Sequence, residues 1–139
     1  MAERCVFCRI VRGEVPSHVV YEDERSIAFL DINPSAPGHT LVIPKAHVAR
    51  VEDLSEDDAA ALFGALHRLV GRIQDAVDAP ASTIGINNGR ESGQEVPHVH
   101  IHVIPRSRGD MGGIIQGIAR SFRRPREEEM RQIAMRIRG

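Results

Sequence analysis

Residues 98–104 read His-Val-His-Ile-His-Val-Ile, a strict alternation of imidazole and aliphatic side chains. Successive side chains of a β-strand point to opposite faces of the sheet. The alternation therefore predicts a strand over 98–104 with its aliphatic side chains in the core. The imidazoles of His98, His100 and His102 would then line the opposite face together. Three imidazoles in register are difficult to explain by packing alone, so this strand is the first candidate for a functional site.

Two kinds of chemistry suit a row of imidazoles. Neutral imidazole is a common zinc ligand, but the Cα atoms of His98 and His102 would lie about 13 Å apart along a strand, too far for easy convergence on one ion. Alternatively, one imidazole attacks a phosphoryl group while its neighbour holds or protonates the oxygens. The glycine-rich stretch 88–94 just upstream offers backbone amides to phosphate, so covalent catalysis accounts for more of the segment. The near-neutral pKa of histidine predicts a neutral nucleophile beside a charged donor at pH 7.

The rest of the chain predicts an α+β domain, with an antiparallel sheet of about five strands, one long packed helix and a C-terminal tail helix. The long helix is expected over Ser55–Val77, with Ser55 as N-cap and apolar side chains every three or four residues. A tail helix is expected from about 125 to 138. Consecutive strands without intervening helices argue against a parallel sheet. The other predicted strands are Val19–Tyr21, Ile27–Leu30, His39–Ile43 and Thr83–Asn87.

Composition excludes several classes of protein. The chain has 139 residues, 42% of them hydrophobic and 27% charged, as expected for one globular domain. It has no apolar run of the ~18 residues that a membrane span needs, and no apolar leader, so a cytoplasmic location and no membrane partner are expected. The absence of Trp and the single Tyr disfavour a stacking platform for single-stranded nucleic acid.

The net charge of −1 is unevenly distributed. Residues 1–105 carry nine basic and fifteen acidic side chains, a net charge of −6, whereas residues 106–139 carry nine and four, a net charge of +5. A basic tail is compatible with a polyanionic partner. A solvated Arg/Glu helix is the simpler interpretation, so no specific nucleic acid is expected.

The 98–104 run resembles the signature of the histidine triad (HIT) superfamily, in which three histidines alternate with apolar residues. Residues 29–34, 38–45 and 93–97 resemble other sequence blocks of that superfamily and occur in the same order. The resemblance covers roughly residues 5–106 and is greatest to the branch of small nucleotide-binding hydrolases. It implies a HIT domain over 1–106. Residues 107–139 would form a tail, a loop followed by a helix, packed on that domain or on a dimer partner.

The resemblance also implies a reaction. The family cleaves nucleoside phosphates, phosphoramidates or dinucleoside polyphosphates at the α-phosphorus through a nucleotidyl-histidine intermediate and releases a nucleoside monophosphate, with a purine preferred. His100 matches the nucleophile, while His102 and His39 match the imidazoles around the phosphate. The substrate-binding positions implied are Asp31 for the ribose, Ile32 for the nucleoside, Asn87 beside the phosphate, and the loop Gln94, Glu95 and Val96. Where this chain has Glu95, other members have Ser or Thr. Only the backbone N–H of Glu95 is therefore expected to contact the phosphate. A homodimer built through 55–77 is also implied.

Cys5 and Cys8 form a C-x-x-C pair, which supplies half of a tetrahedral zinc site. Some HIT proteins complete such a site with two histidines, which here match His47 and His98. The resemblance therefore implies a structural zinc ion that the chemistry does not require. Two reduced thiols without metal are the simpler alternative. A redox motif is disfavoured because the pair does not follow a strand in a βαβ unit.

Three functional hypotheses remain open. The first is the nucleotide hydrolase or phosphoramidase described above. The second is a purine-nucleotide-binding adaptor with little or no turnover. The third is an enzyme that uses the three histidines of residues 98–104 as ligands of a catalytic metal.

Overall fold

The computed structural model describes residues 2–119 and 123–139, and it confirms the predicted α+β class. The helices are α1 (Val6–Val11), α2 (Glu56–Ala76) and α3 (Glu127–Arg138). The strands are β1 (Val19–Glu22), β2 (Ser26–Leu30), β3 (Thr40–Pro44), β4 (Ala81–Gly85) and β5 (Ile101–Arg106). The strands form one antiparallel sheet in the order β1-β2-β3-β5-β4.

The long helix α2 covers one face of the sheet. It begins after Ser55, whose Oγ accepts a hydrogen bond from the N–H of Asp58, as the sequence predicts. Its buried side chains are Leu62, Ala65, Leu69 and Ile73. They form a core with side chains of the three central strands and with Val99, two residues before β5. The members of the core from these segments are Ala28, Val42, Val99, Ile101 and Val103. The predicted aliphatic face of the 98–104 segment is therefore confirmed.

The opposite face of the sheet carries a second, smaller core beneath α1. This short helix was not predicted, although apolar residues at Phe7, Ile10 and Val11 have helical spacing. Phe7 and the two cysteines pack against Ile27, Phe29, Leu41 and Ile43. Phe7 of α1 also packs against the rings of His98 and His100, which lie between the sheet and this helix.

Three strands match their predictions to within one residue at each end, and the other two differ by more. The strand expected over 98–104 is regular only from Ile101, so His98 and His100 precede β5. The pairing with β3 stops at Val42–Ile101, and two residues later β3 reaches Pro44, which has no N–H to continue the ladder. The strand expected over Thr83–Asn87 runs instead over Ala81–Gly85, with Ala81 opposite Arg106.

The segment after β5 lies outside both cores. No residue of α3 is buried. Glu129 in its first turn pairs with Arg123 and Arg126, two basic side chains that precede the helix. Within the described residues, no helix combines the length and apolarity needed to cross a membrane.

Candidate active site

A cleft of about 410 Å³ opens on the face of the sheet that carries the imidazoles. Seven of the residues predicted for the site line it: Asp31, Ile32, Asn87, Glu95, Val96, His100 and His102. His39 and Gln94 are not among its lining residues. The wall that α1 contributes through Val6, Phe7 and Ile10 was not predicted from the sequence. The helical spacing of these apolar residues was the available signal.

His100 has a defined orientation in the floor of the cleft. Its Nδ1 lies 2.7 Å from the backbone carbonyl oxygen of His98. A carbonyl oxygen only accepts, so Nδ1 carries the proton and the neutral ring keeps a lone pair on Nε2. His100 is 7% exposed, and the ring of Phe7 packs against its ring in a T-shaped arrangement with 5.1 Å between ring centroids. His100 is therefore held with its basic nitrogen free for a ligand.

His39 and His102 form a hydrogen-bonded pair beside His100. The backbone N–H of Ser35 donates to Nδ1 of His39 over 3.0 Å, so the proton of neutral His39 is on Nε2. That Nε2 lies 2.9 Å from Nδ1 of His102 and donates to it. The proton of neutral His102 must then be on Nε2. One backbone amide thus fixes the tautomers of both rings, leaving His102 with an N–H donor.

The electrostatics keep this pair neutral in the free protein. Burial, with the neighbouring His100 and His39, lowers the pKa of His102 to about 4. Burial also lowers the pKa of His39, and the charge of Asp31 only partly opposes this. The lowered pKa values favour the neutral form of both rings at pH 7, whereas the sequence led us to expect a charged donor. His102 instead offers the N–H of a neutral imidazole.

Asp31 and Ile32 stand at the end of β2, where the strand gives way to a loop. One carboxylate oxygen of Asp31 accepts from the N–H of Asn33 at 2.9 Å, and the other lies 3.6 Å from Nε2 of His39. Ile32 is 80% exposed at the rim. The pair therefore presents a fixed carboxylate and an apolar side chain to the open cleft.

The loop over 93–96 is organised by Gln94. Its side-chain oxygen accepts from the N–H of Gly89, and its amide nitrogen donates to the carbonyls of Ala49 and Val96. The side chain of Gln94, a member of the predicted phosphate loop, thus holds the loop together and does not line the cleft. Glu95 is exposed and lines the cleft together with Gly93 and Val96.

The structure separates the three histidines. His98 is fully buried and faces the two cysteines, while His100 and His102 face the cleft. The ligand atoms of Cys5, Cys8, His47 and His98 all lie within 4.8 Å of one another. Sγ of Cys8 is 3.2 Å from Nδ1 of His47, and Sγ of Cys5 is 3.5 Å from Nδ1 of His98.

This cluster has the donors of a closed tetrahedral zinc site, two thiols and two imidazoles. Nε2 of His98 donates to the carbonyl of Pro44 at 2.8 Å, which leaves its Nδ1 unprotonated and directed at the cysteines. Such a hydrogen bond on the outer nitrogen is typical of metal-bound histidine. Burial and the neighbouring Cys5 raise the pKa of the Cys8 thiol to about 11 without metal. A bound cation would favour the thiolate instead.

Asp31, His39 and His102 form a second group whose ligand atoms lie equally close. Here, however, the two facing imidazole nitrogens hydrogen-bond each other. His98 groups with the cysteines whereas His100 and His102 line the cleft, so the three histidines of residues 98–104 do not converge on one point. This counts against the hypothesis that together they hold a catalytic metal.

Comparison with known proteins identifies the family. The model of the HIT domain matches residues 12–109. The chain belongs to the histidine triad superfamily. The cysteines precede the matched residues, and most of the tail follows them.

Several relatives of this HIT protein cover most of its length. It is 46% identical over 106 residues to an uncharacterized HIT-like protein of Methanocaldococcus jannaschii, covering 76% of this chain and 81% of the relative. It is 40% identical over 108 residues to an adenosine 5′-monophosphoramidase of Schizosaccharomyces pombe, covering 78% of each chain. A bis(5′-nucleosyl)-tetraphosphatase of the same yeast is 43% identical over 96 residues, which are 69% of this chain and 53% of that protein.

Solved structures share the fold of this HIT protein. A HIT family protein from Bacillus anthracis superposes with a TM-score of 0.87 at 33% identity, covering 99% of this chain and 97% of the other. A zinc-bound histidine triad protein from Mycobacterium smegmatis superposes with a TM-score of 0.75 at 36% identity, covering 99% and 94%.

Proposed function

We propose that this HIT protein hydrolyses nucleotides at the α-phosphorus through a nucleotidyl group on His100. The observation that carries the proposal is the hydrogen bond from Nδ1 of His100 to the carbonyl of His98, which leaves a basic Nε2 in the cleft. His102 lines the same cleft and keeps a proton on its Nε2. A nucleophile and a proton donor therefore stand side by side, with 5.0 Å between their ring centroids.

The proposed reaction has two steps. Nε2 of His100 attacks the α-phosphorus, a phosphorus–nitrogen bond forms, and the bond to the leaving group breaks. The leaving atom takes the proton from Nε2 of His102. Water then attacks the same phosphorus and gives a proton back to His102, while the phosphorus–nitrogen bond breaks. A nucleoside monophosphate leaves, and His100 regains its lone pair.

Nucleoside binding is proposed at the end of the cleft beside α1. The carboxylate of Asp31 would accept hydrogen bonds from the ribose hydroxyls, and charge-assisted bonds of this kind are among the strong ones. The base would lie between the apolar wall of α1 and the exposed side chain of Ile32. Flat apolar walls suit a large ring, which supports a purine. Asn87 and the backbone amides of Glu95 and Val96, which line the cleft, would contact the phosphate.

The substrate class rests partly on relatives. A phosphoramidase and a dinucleoside tetraphosphatase, each at least 40% identical, support a nucleotide hydrolase as the coarse activity. Nucleoside phosphoramidates, dinucleoside polyphosphates and other mixed phosphates all present the same α-phosphorus to His100.

The test compares wild type with His100→Ala on adenosine 5′-phosphoramidate. Wild type is expected to release AMP, and the variant is expected to bind AMP without measurable turnover. Turnover by the variant at the wild-type rate would refute the nucleophile. If wild type binds AMP tightly but turns over neither phosphoramidates nor dinucleoside polyphosphates, the chain is the nucleotide-binding adaptor instead.

Cys5, Cys8, His47 and His98 are proposed to hold one structural zinc ion. The buried donor set and the orientation of His98 support this, as does the zinc-bound relative from M. smegmatis. A zinc ion there would cross-link the N-terminal segment to the residues before β5. His98 would then hold its carbonyl in place for His100, so the ion would act on stability before it acts on rate.

A homodimer and a cytoplasmic location stay predictions. Strand β4 is an edge of the sheet, and Ile84 on it and Phe63 on α2 are partly exposed. These apolar groups and the open strand edge support the predicted interface with a second copy. Sedimentation of wild type and Phe63→Glu would test it. The free thiols of Cys5 and Cys8 are consistent with a reducing compartment.

A further inference from the structure

A second cavity of about 620 Å³ lies further along β5 than the active-site cleft. Burial alternates along this strand, so His102, Ile104 and Arg106 share the partly exposed face. His102 lines the first cavity, whereas Ile104 and Arg106 line the second. Side chains two residues apart on a strand are separated by about 7 Å. The second cavity therefore begins one side chain beyond His102.

The wall of this cavity comes largely from the segment after β5. The lining residues include Ser35, Thr83 and Ile104 from the domain and Ile114, Ile115 and Ile118 from that segment. The three tail isoleucines are between 54% and 73% exposed, so their apolar surface is open. The family match ends at residue 109, and this wall is therefore a feature of the tail rather than of the matched domain.

The charges in the cavity neutralise each other. Arg106 donates from Nε and Nη2 to both carboxylate oxygens of Asp110, at 2.7 and 3.0 Å. Its Nη1 donates to Oγ1 of Thr83 and to the carbonyl of Gly113. These bonds hold the pKa of Asp110 below its usual range. Among the described lining residues, Arg106 and Asp110 are the only charged ones, so no unpaired cation faces the cavity.

The proposed reaction indicates which part of the substrate would occupy this cavity. In a phosphoryl transfer the attacking and leaving atoms lie roughly in line. With His100 attacking and His102 protonating the leaving atom, the leaving group departs beyond His102, toward Ile104. Ser35 lines the second cavity, and its N–H donates to His39, whose hydrogen-bond partner His102 lines the first.

We propose that this second cavity receives the leaving group and selects an uncharged, apolar one. The preferred substrate would be a nucleoside phosphoramidate or mixed anhydride whose amine or acyl group carries an aliphatic or aromatic chain. A polyphosphate leaving group would find isoleucine side chains and a guanidinium already paired. This inference rests on the proposed function, since it assigns the leaving-group side of the same site.

Binding to the His100→Ala variant tests the cavity without requiring turnover. The probes are adenosine 5′-phosphoramidate, its N-hexyl derivative and its N-(5-carboxypentyl) derivative, measured by titration calorimetry. The hexyl compound is expected to bind at least about tenfold more tightly than the unsubstituted one, because burying each methylene contributes up to ~0.8 kcal/mol. The carboxylate of the third compound should cancel this gain.

Two further variants of the His100→Ala protein test whether the gain in affinity from the hexyl chain arises in this cavity. Ile115→Glu places a charge in the cavity wall and is expected to abolish the hexyl gain. Ile137→Glu makes the same change on α3, at a residue that is 80% exposed and does not line the cavity, and should retain the gain. The kcat/KM ratio of hexyl to unsubstituted substrate in otherwise wild-type protein should change in the same way.

Three results would overturn the proposal: no hexyl gain, an equal gain with the carboxypentyl compound, or equal hexyl gains in Ile115→Glu and Ile137→Glu. Failure of the proposed function gives a different result. Wild type would then turn over none of the three compounds, while the binding comparison would still decide what the cavity accepts.

Discussion

Nε2 of His39 donates to Nδ1 of His102 over 2.9 Å, and the N–H of Ser35 occupies the other nitrogen of His39. This chain of two hydrogen bonds determines which nitrogen of His102 carries a proton. It gives the site a proton donor although neither ring is charged. The activity of the site should therefore depend on these two hydrogen bonds and on the groups around them.

Removing His39 should impair protonation of the leaving group. In His39→Ala the tautomer of His102 is no longer fixed, so kcat is expected to fall about 100-fold for an alkyl phosphoramidate, within the usual range for general acid catalysis. A nitrophenyl ester, whose leaving group needs no proton, should lose far less. Equal losses on both substrates would show that His39 serves only the structure.

Two variants of Ser35 test the role of its backbone N–H. Ser35→Ala keeps the N–H and should leave the kcat ratio between the two substrates unchanged. Ser35→Pro removes the N–H and should shift that ratio in the same direction as His39→Ala. Circular dichroism and thermal unfolding check that both variants fold. An unchanged ratio in a folded Ser35→Pro protein would contradict the proposed role of the amide.

The low pKa of His102 predicts a pH dependence of stability. The folded protein holds this pKa at about 4, below that of histidine in an unfolded chain, so the unfolded state binds the extra proton first as the pH falls. The contribution of His102 to the free energy of unfolding is therefore fully present above about pH 6.5 and is lost progressively as the pH falls toward 4. NMR titration of His102 in the ligand-free, metal-loaded protein measures the pKa directly. A midpoint at or above 6.5 would show that burial does not keep the ring neutral.

Asp31→Asn should reduce the preference for ribose. The amide oxygen can still accept from the N–H of Asn33, so the turn is retained, but the charge that strengthens the ribose bonds is lost. Charge-assisted bonds contribute about 1.5–3 kcal/mol each, which predicts at least about a tenfold loss of AMP affinity. The affinity for 2′,3′-dideoxy-AMP should change little. Equal losses for both nucleotides would indicate that another group recognises the hydroxyls.

Metal analysis tests the cysteine and histidine cluster. Protein purified without added zinc should contain about one zinc ion per chain, as expected for a single closed four-ligand site. Cys8→Ser should contain almost none and should unfold at a lower temperature. His67→Ala is the control, because His67 is exposed on α2 and distant in sequence from the cluster. No zinc in the wild type under reducing conditions would leave Cys5 and Cys8 as buried thiols.

Sequence alone predicts the parts of this fold that follow periodic patterns. The alternation of residues 98–104 and the apolar spacing of α2 predict which side chains face the main core. They do so because burial of one face makes apolar residues recur at the period of a strand or a helix. The family resemblance, rather than periodicity, supplied the grouping of His47 with Cys5, Cys8 and His98, and the structure brings these four together.

The features that sequence did not predict depend on contacts distant in the chain or on backbone atoms. The N–H of Ser35 has no sequence signature, because every residue except proline has one. The low pKa of His102 results from its burial in the folded chain and from the neighbouring rings of His100 and His39. The use of Gln94 to tie the loop together depends on carbonyls of Ala49 and Val96, which only the folded chain brings within reach.

The central claim is that His100 becomes covalently bound to the nucleotide. The most direct measurement is mass spectrometry of protein mixed with adenosine 5′-phosphoramidate and quenched within milliseconds, before and after digestion. The account predicts an added adenylyl mass on the peptide that contains His100, absent from His100→Ala and removed on longer incubation as AMP appears. Turnover with no adduct at any time, or with an adduct on another residue, would contradict it.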